Sequence, residues 1–190
     1  APIQRSIMNL DKETGISIMK IVEELDTGPV CNMYKLDIGK NVNAEDVSDK
    51  LSSLAAEKIL DNIDDILNDK VEFKEQKHKE ATYANKIEKL EGKIDWNNSA
   101  EIIIGKINGL YPNPGAWFIH KGERYKILKA EIVNGANKPG IILSDSLEVG
   151  CNDNKSIKIL EIQRQGKRPQ KINEFMPGSK ITKGTNLNDV

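Results

Sequence analysis

A chain of 190 residues has room for one or two domains, and its 38% hydrophobic content is enough for ordinary globular cores. Charged residues make up 30%, typical of a soluble protein, and the formal net charge is −1. No apolar run approaches the roughly 20 residues that a membrane-spanning helix needs. The opening Ala1-Pro2-Ile3-Gln4-Arg5 lacks the charged-then-apolar order of a secretory signal, so the expectation is a cytoplasmic protein with no membrane partner.

The charge is unevenly spread. Residues 1–82 hold 11 Lys+Arg against 17 Asp+Glu, a net of −6; residues 83–190 hold 17 against 12, a net of +5. That asymmetry hints at a polyanion partner for the second half, against the plainer reading of a solvated basic face. Cys31 and Cys151 are far apart, as are His78 and His120, and neither type shows metal-ligand spacing. We expect two buried, reduced thiols and no metal site. The chain opens on Ala1 rather than Met, directly in helical sequence, which fits a fragment, a processed chain or an incomplete reading frame.

In chain order, Ile3, Ile7 and Leu10 share one face of a helix over residues 2–10. Asp11 to Gly15 breaks it, and Ile16 to Val22 reads as a strand rich in β-formers. Glu23 to Gly28 is a polar loop, and Val30 to Leu36 a second strand. Asn43, with Asp46 three residues on, signals a helix start. Val47, Leu51, Leu54, Ala55, Ile59, Ile63 and Ile66 then mark an amphipathic helix over 44–68. Lys74 to Glu80 is a charge run with no apolar face, read as exposed linker, with the domain boundary near 80–88.

The second half begins at Trp96 with a short helix from Ser99 to Leu110, stopped by Pro112-Asn113-Pro114-Gly115. Strands are expected over 116–120, 124–133, 141–143, 147–149 and 157–162. Short strands at this spacing predict a small all-β barrel. Trp96 and Trp117 are expected in its core rather than stacked on bases.

Asp26 is the residue to weigh for chemistry. It follows a strand, and in open α/β sheets ligand sites gather at the carboxyl edge of the strands. By itself an Asp before Thr27-Gly28 more often only makes a turn. Asp-Thr-Gly also marks aspartic proteases, but they need a second such carboxylate, and Ser144-Asp145-Ser146 fails the pattern.

Ala1-Pro2-Ile3-Gln4-Arg5-Ser6-Ile7, Glu13 to Met19 and Leu25-Asp26-Thr27-Gly28-Pro29-Val30 together resemble, in order and spacing, the folate-dependent formyltransferase family. Ala81 to Ile87, Gly92 to Trp96, Pro112 to Trp117 and Gln163 to Pro169 resemble its methionyl-tRNA branch. The resemblance runs from Ala1 to about Ile181; Thr182 to Val190 carry none of it.

The resemblance implies an α/β remnant over residues 1–70, the end of a Rossmann-like catalytic domain. A linker over 71–85 and an OB-like β-barrel domain with a short helix over 86–185 would follow. It implies formyl transfer from 10-formyltetrahydrofolate to the α-amino group of methionine on initiator tRNA, for translation initiation. Asp26 matches the family's catalytic Asp, and Val22, Glu23, Glu24 and Leu25 match the part lining the pterin pocket through backbone contacts. Lys86, Lys89, Lys93, Arg164, Lys167 and Arg168 become the tRNA-binding candidates. A monomer without an obligate protein partner is expected. The family's catalytic Asn and His come from an upstream Asn-x-His-Pro-Ser motif that this sequence does not contain, so the chain alone is expected to be inactive. A sugar-nucleotide formyltransferase and a stand-alone RNA-binding module are the alternatives.

Overall fold

The computed structural model describes residues 1–188. Helix α1 (Pro2–Met8) carries Pro2 in its first turn, where a missing N–H costs nothing, and buries Ile7. Strands β1 (Glu13–Met19) and β2 (Val30–Asp37) form a two-stranded antiparallel pair, in register from Glu13 opposite Asp37 to Met19 opposite Val30. The expected break at 11–15 is therefore shorter than the sequence suggested. Thr14 and Ile16 already point inward, so strand periodicity begins at Glu13 and ends before Ile21.

Helix α2 (Ala44–Leu67) starts as the sequence indicates. The Asn43 side chain accepts from the Asp46 N–H and the Asp46 carboxylate accepts from the Asn43 N–H, a reciprocal cap. Its apolar stripe is only partly covered. Ala44, Val47 and Leu51 are buried with Ile7 in a small core, joined by Ile16, Leu36 and Ile38. Ile59 and Ile63, further along, are exposed, because two strands are too narrow to cover a 24-residue helix. Polar ties secure that half instead: Asn62 Nδ2 donates to Tyr34 Oη at 2.7 Å, and Asn32 Nδ2 to Asn62 Oδ1 at 2.6 Å.

Helix α3 (Ala100–Gly109) begins at Ser99, whose hydroxyl accepts from the Ile102 N–H. Strands β3 (Ala116–His120), β4 (Glu123–Asn134), β5 (Ile142–Ser144), β6 (Glu148–Gly150), β7 (Lys155–Arg164) and β8 (Gln170–Lys171) follow. They form one sheet in the order β3-β4-β7-β6-β5, with β8 on β7. A short helix α4 (Ile172–Phe175) closes over it. The sheet does not close on itself: β3 and β5 are outer strands, not partners. The expected α/β remnant is followed by a sheet-rich second domain, in which no closed barrel forms among the described strands. Irregular chain protects both edges: the Ile94 N–H donates to the Trp117 carbonyl, and the Ile142 N–H to that of Thr185. The core joins Trp96, Ile103 and Ile107 to Phe118, Ile127, Ile157, Ile159 and Ile162. Trp96 sits in this core, as expected, whereas Trp117 is buried on the other face of β3, where its Nε1 donates to the Lys89 carbonyl.

The two halves meet through α1 and α3. A Cβ on Gly109 would lie 2.6 Å from Met8 Cγ and 2.9 Å from the Gln4 carbonyl. A Cβ on Gly105 would lie 2.7 Å from Leu10 Cδ2. Two glycines one turn apart thus form the notch that seats α1. Helix α1 thus packs on α3 while its Ile7 remains in the core it shares with α2. Among the described residues, no helix is long and apolar enough to cross a membrane.

Candidate functional site

Asp26 lies in the loop joining β1 to β2, seven residues past the end of β1. The strands it joins are antiparallel, so the expected carboxyl edge of a mixed sheet is here a hairpin loop. Asp26 adopts a left-handed backbone, φ +58°, which Asp tolerates better than most residues. Gly28 is obligatory for a different reason: a Cβ there would stand 1.8 Å from the Lys20 carbonyl. The Lys20 N–H donates to the Pro29 carbonyl at 3.0 Å, and Thr27 Oγ1 donates to the Glu24 carbonyl at 3.1 Å.

Asp26 and Thr27 line an open cavity of about 550 Å³, with Ser17, Cys31 and Met33 from the hairpin. Its far wall is the segment expected to be free linker, including Lys74, Gln76 and His78. That segment is fastened. Lys74 and Val30 exchange two backbone hydrogen bonds of 2.9 Å, Lys20 Nζ sits 4.4 Å above the Phe73 ring, and Gln76 Nε2 donates to the carbonyls of Asp26 and Gly28 at 2.8 Å each. Gln76 and His78 carried no sequence signal, because a charge run without periodicity reads as solvated. Val22, Glu23, Glu24 and Leu25 sit outside this cavity on the exposed crest of the loop, Leu25 being 91% exposed.

The basic candidates form two groups. Lys86, Lys89 and Lys93 are exposed, while their carbonyls are held by Arg5 Nη2, Trp117 Nε1 and Lys106 Nζ at 3.1, 3.3 and 3.0 Å. The backbone is fixed and the ammonium groups project into water. The Arg124 guanidinium lies 5.6 Å from the Trp117 ring and extends this group, a residue the sequence reading missed. Arg164, Lys167 and Arg168 line a second concavity with Glu174 and Phe175. Arg164 is paired with Glu123, whose carboxyl it and the Tyr125 hydroxyl hold below the usual carboxylate range. Trp117 lies opposite Lys126, whereas Arg164 lies opposite Tyr125, so strand alternation puts Arg164 on the other face of the sheet from Trp117 and Arg124.

Residues 86–180, half of the chain, match the family described as formyl transferase, C-terminal domain, and residues 1–63 match that described as formyl transferase. The chain belongs to the formyl transferase family. It is 63% identical over 190 residues to a methionyl-tRNA formyltransferase of Pelagibacter ubique, covering all of this chain and 61% of that protein. It is 41% identical over 186 residues to a methionyl-tRNA formyltransferase of Thermodesulfovibrio yellowstonii, covering 97% and 60%. The chain thus spans about three fifths of the length of these formyltransferases. HypX from Aquifex aeolicus, solved with tetrahydrofolic acid, shares the fold at a TM-score of 0.71 and 16% identity, over 96% of this chain and 36% of that one.

No cluster of three or more His, Cys, Asp or Glu suited to a metal exists among the described residues of this formyl transferase family member. Its thiols differ from expectation: Cys151 is buried, and burial pushes its pKa up to about 12, but Cys31 is only half-buried at the cavity wall.

Proposed function

We propose that this chain serves formyl transfer from 10-formyltetrahydrofolate to the α-amino group of methionine on initiator tRNA, the modification that marks it for translation initiation. The observation carrying this reading is the 63% identity along all 190 residues to a methionyl-tRNA formyltransferase. Residues 1–70 then represent the end of a Rossmann-like catalytic domain, residues 71–85 its linker, and residues 86–185 an opened, OB-like tRNA-binding domain. The exposed stretch of α2 around Ile59 and Ile63 is where the rest of such a domain would pack. A cytoplasmic site of action, by a monomer, goes with this reading.

Asp26 lines an open cavity of about 550 Å³, within the range of roughly 300–1,000 Å³ common for small-molecule sites. Bound 10-formyltetrahydrofolate would supply an electrophilic formyl carbon. The attacking amine must lose a proton as its bond to that carbon forms, and the carbonyl oxygen takes on negative charge. Of the cavity carboxylates Asp26, Glu75 and Glu80, we assign Asp26, which matches the family's catalytic Asp, to accept or hold that proton, directly or through an imidazole it orients. Val22 to Leu25 present backbone groups on the loop crest for the pterin ring. Lys86, Lys89, Lys93, Arg164, Lys167 and Arg168 neutralise tRNA phosphates.

The test fuses the 190-residue chain behind the remaining upstream portion of the Pelagibacter relative and supplies 10-formyltetrahydrofolate with either Met-tRNA or an amino-sugar nucleotide. Formyl-methionyl-tRNA is the expected product, and the chain without the fusion is expected to show no turnover. A formylated sugar without formylated tRNA would overturn the reading.

A further inference from the structure

We propose that Gln76 is a positioning residue for Asp26: its carboxamide, delivered by the segment after α2, fixes the left-handed turn that carries the Asp26 carboxylate. The inference rests on the reading of Asp26 as the proton-handling residue of formyl transfer.

The chemistry of the contact is specific. A carboxamide nitrogen carries two hydrogens, and Gln76 Nε2 spends them on two carbonyls of one turn, Asp26 and Gly28, each at 2.8 Å. These carbonyls flank Thr27, so the pair of bonds sets the orientation of the Asp26–Thr27 and Gly28–Pro29 peptide units. The donor comes from 48 and 50 residues away in sequence, beyond the whole of α2, so local turn chemistry does not supply it.

The turn needs such help. Asp26 holds φ +58°, and Gly28 sits too close to Lys20 for any other residue. Neighbouring ties place the donor rather than the turn: the Val30–Lys74 backbone pair and the Lys20–Phe73 contact bring residues 73–76 alongside the loop. Among the described residues, Gln76 is the one whose side chain donates to the Asp26 carbonyl. Its side chain is exposed, so replacing it opens no core. A carboxylate that moves one proton must be held in place, and a shift of about 1 Å costs on the order of 10²-fold in rate.

The experiment uses the fusion protein with Gln76→Ala and the near-isosteric Gln76→Glu, which puts a carboxylate oxygen where an N–H is required. Both are expected to lower kcat by on the order of 10- to 10²-fold, with KM for Met-tRNA unchanged. In an Asp26→Asn background, Gln76→Ala is expected to add no further loss, because it acts through Asp26. Wild-type kcat in both variants, an effect confined to KM, or the same fold-loss in the Asp26→Asn background overturns the proposal. A second measurement stands apart from catalysis. In the 190-residue chain, Gln76→Ala should speed amide hydrogen exchange at residues 24–28 while β7 stays protected; unchanged exchange there overturns the proposal as well. A fusion without Met-tRNA formylation at all refutes the functional reading, and hydrogen exchange still decides whether Gln76 holds the loop.

Discussion

Arg5 grips Glu91 with both terminal nitrogens of its guanidinium, at 2.6 and 3.0 Å, across 86 residues of sequence. The same side chain donates to the carbonyls of Asn85 and Lys86 at 3.1 Å, so one residue of α1 fastens the end of the linker. The Arg5 hydrogen bond, helped by the Glu88 N–H, holds the Glu91 carboxyl down at about 2, from an ordinary 4.5. A carboxyl depressed in the folded state stabilises above its unfolded pKa, and that contribution fades as pH falls towards the folded one. Docking of α1 is therefore expected to weaken between about pH 4.5 and 2, read as faster hydrogen exchange of residues 3–10. Arg5→Ala should raise that exchange at neutral pH and remove the Glu91-linked part of the acid dependence. An acid profile identical in Arg5→Ala and the parent refutes the assignment.

The glycine notch predicts a separation of effects. Gly105→Ala and Gly109→Ala each improve helix propensity by about 1 kcal/mol, but each places a methyl group inside contact distance of α1. The double substitution should expel α1, exposing residues 1–10 to proteolysis, while the thermal unfolding of the Trp96–Phe118 core stays the same or rises. Unchanged protection of residues 1–10 would show that the notch does not seat the helix.

Asp26→Asn keeps size and hydrogen bonding but removes the charge and the basicity. In the fusion enzyme it is expected to lower kcat by about 10²- to 10⁴-fold, the usual contribution of acid–base catalysis. The loop keeps its turn, because the contacts around it are made by backbone atoms and by Thr27 and Gln76. Folding, followed by circular dichroism, should not change. Wild-type turnover by Asp26→Asn would remove it from the proton path.

Phosphate binding by exposed cations carries a salt signature. Lys167 and Arg168 have no salt-bridge partner among the described residues, whereas Arg164 is held by Glu123. Replacing Lys167 and Arg168 with Ala should each lower the slope of log K against log salt by about 1, in tRNA binding followed by gel shift. Arg164→Ala should have a smaller effect, since its charge is already compensated. Equal slopes for parent and variants would place the tRNA elsewhere.

Much of the architecture could be read from the chain alone, because it depends on neighbours in sequence. Asn43 and Asp46 cap α2 through a local exchange of hydrogen bonds, and Ser99 starts α3 in the same way. Turn signals bounding runs of strand-forming residues placed β3, β4 and β7 to within a few positions of their observed ends. The Leu25 to Val30 segment resembles formyltransferases without any structure, since a catalytic motif is a string of residue types.

The tertiary structure decided everything that depends on partners distant in sequence. Local periodicity carries no information on strand order, so that β3 and β5 are the outer strands of the sheet was visible only in the folded chain. Nor does a charge run declare that one of its members, Gln76, will cross to Asp26. Arg5 and Gly109 likewise looked like ordinary helix residues until α1 settled on α3. Propensity and capping act over a few residues and are written in the sequence order. Edge pairing, helix docking and the clamp on a loop are contacts between surfaces that only the folded chain brings together.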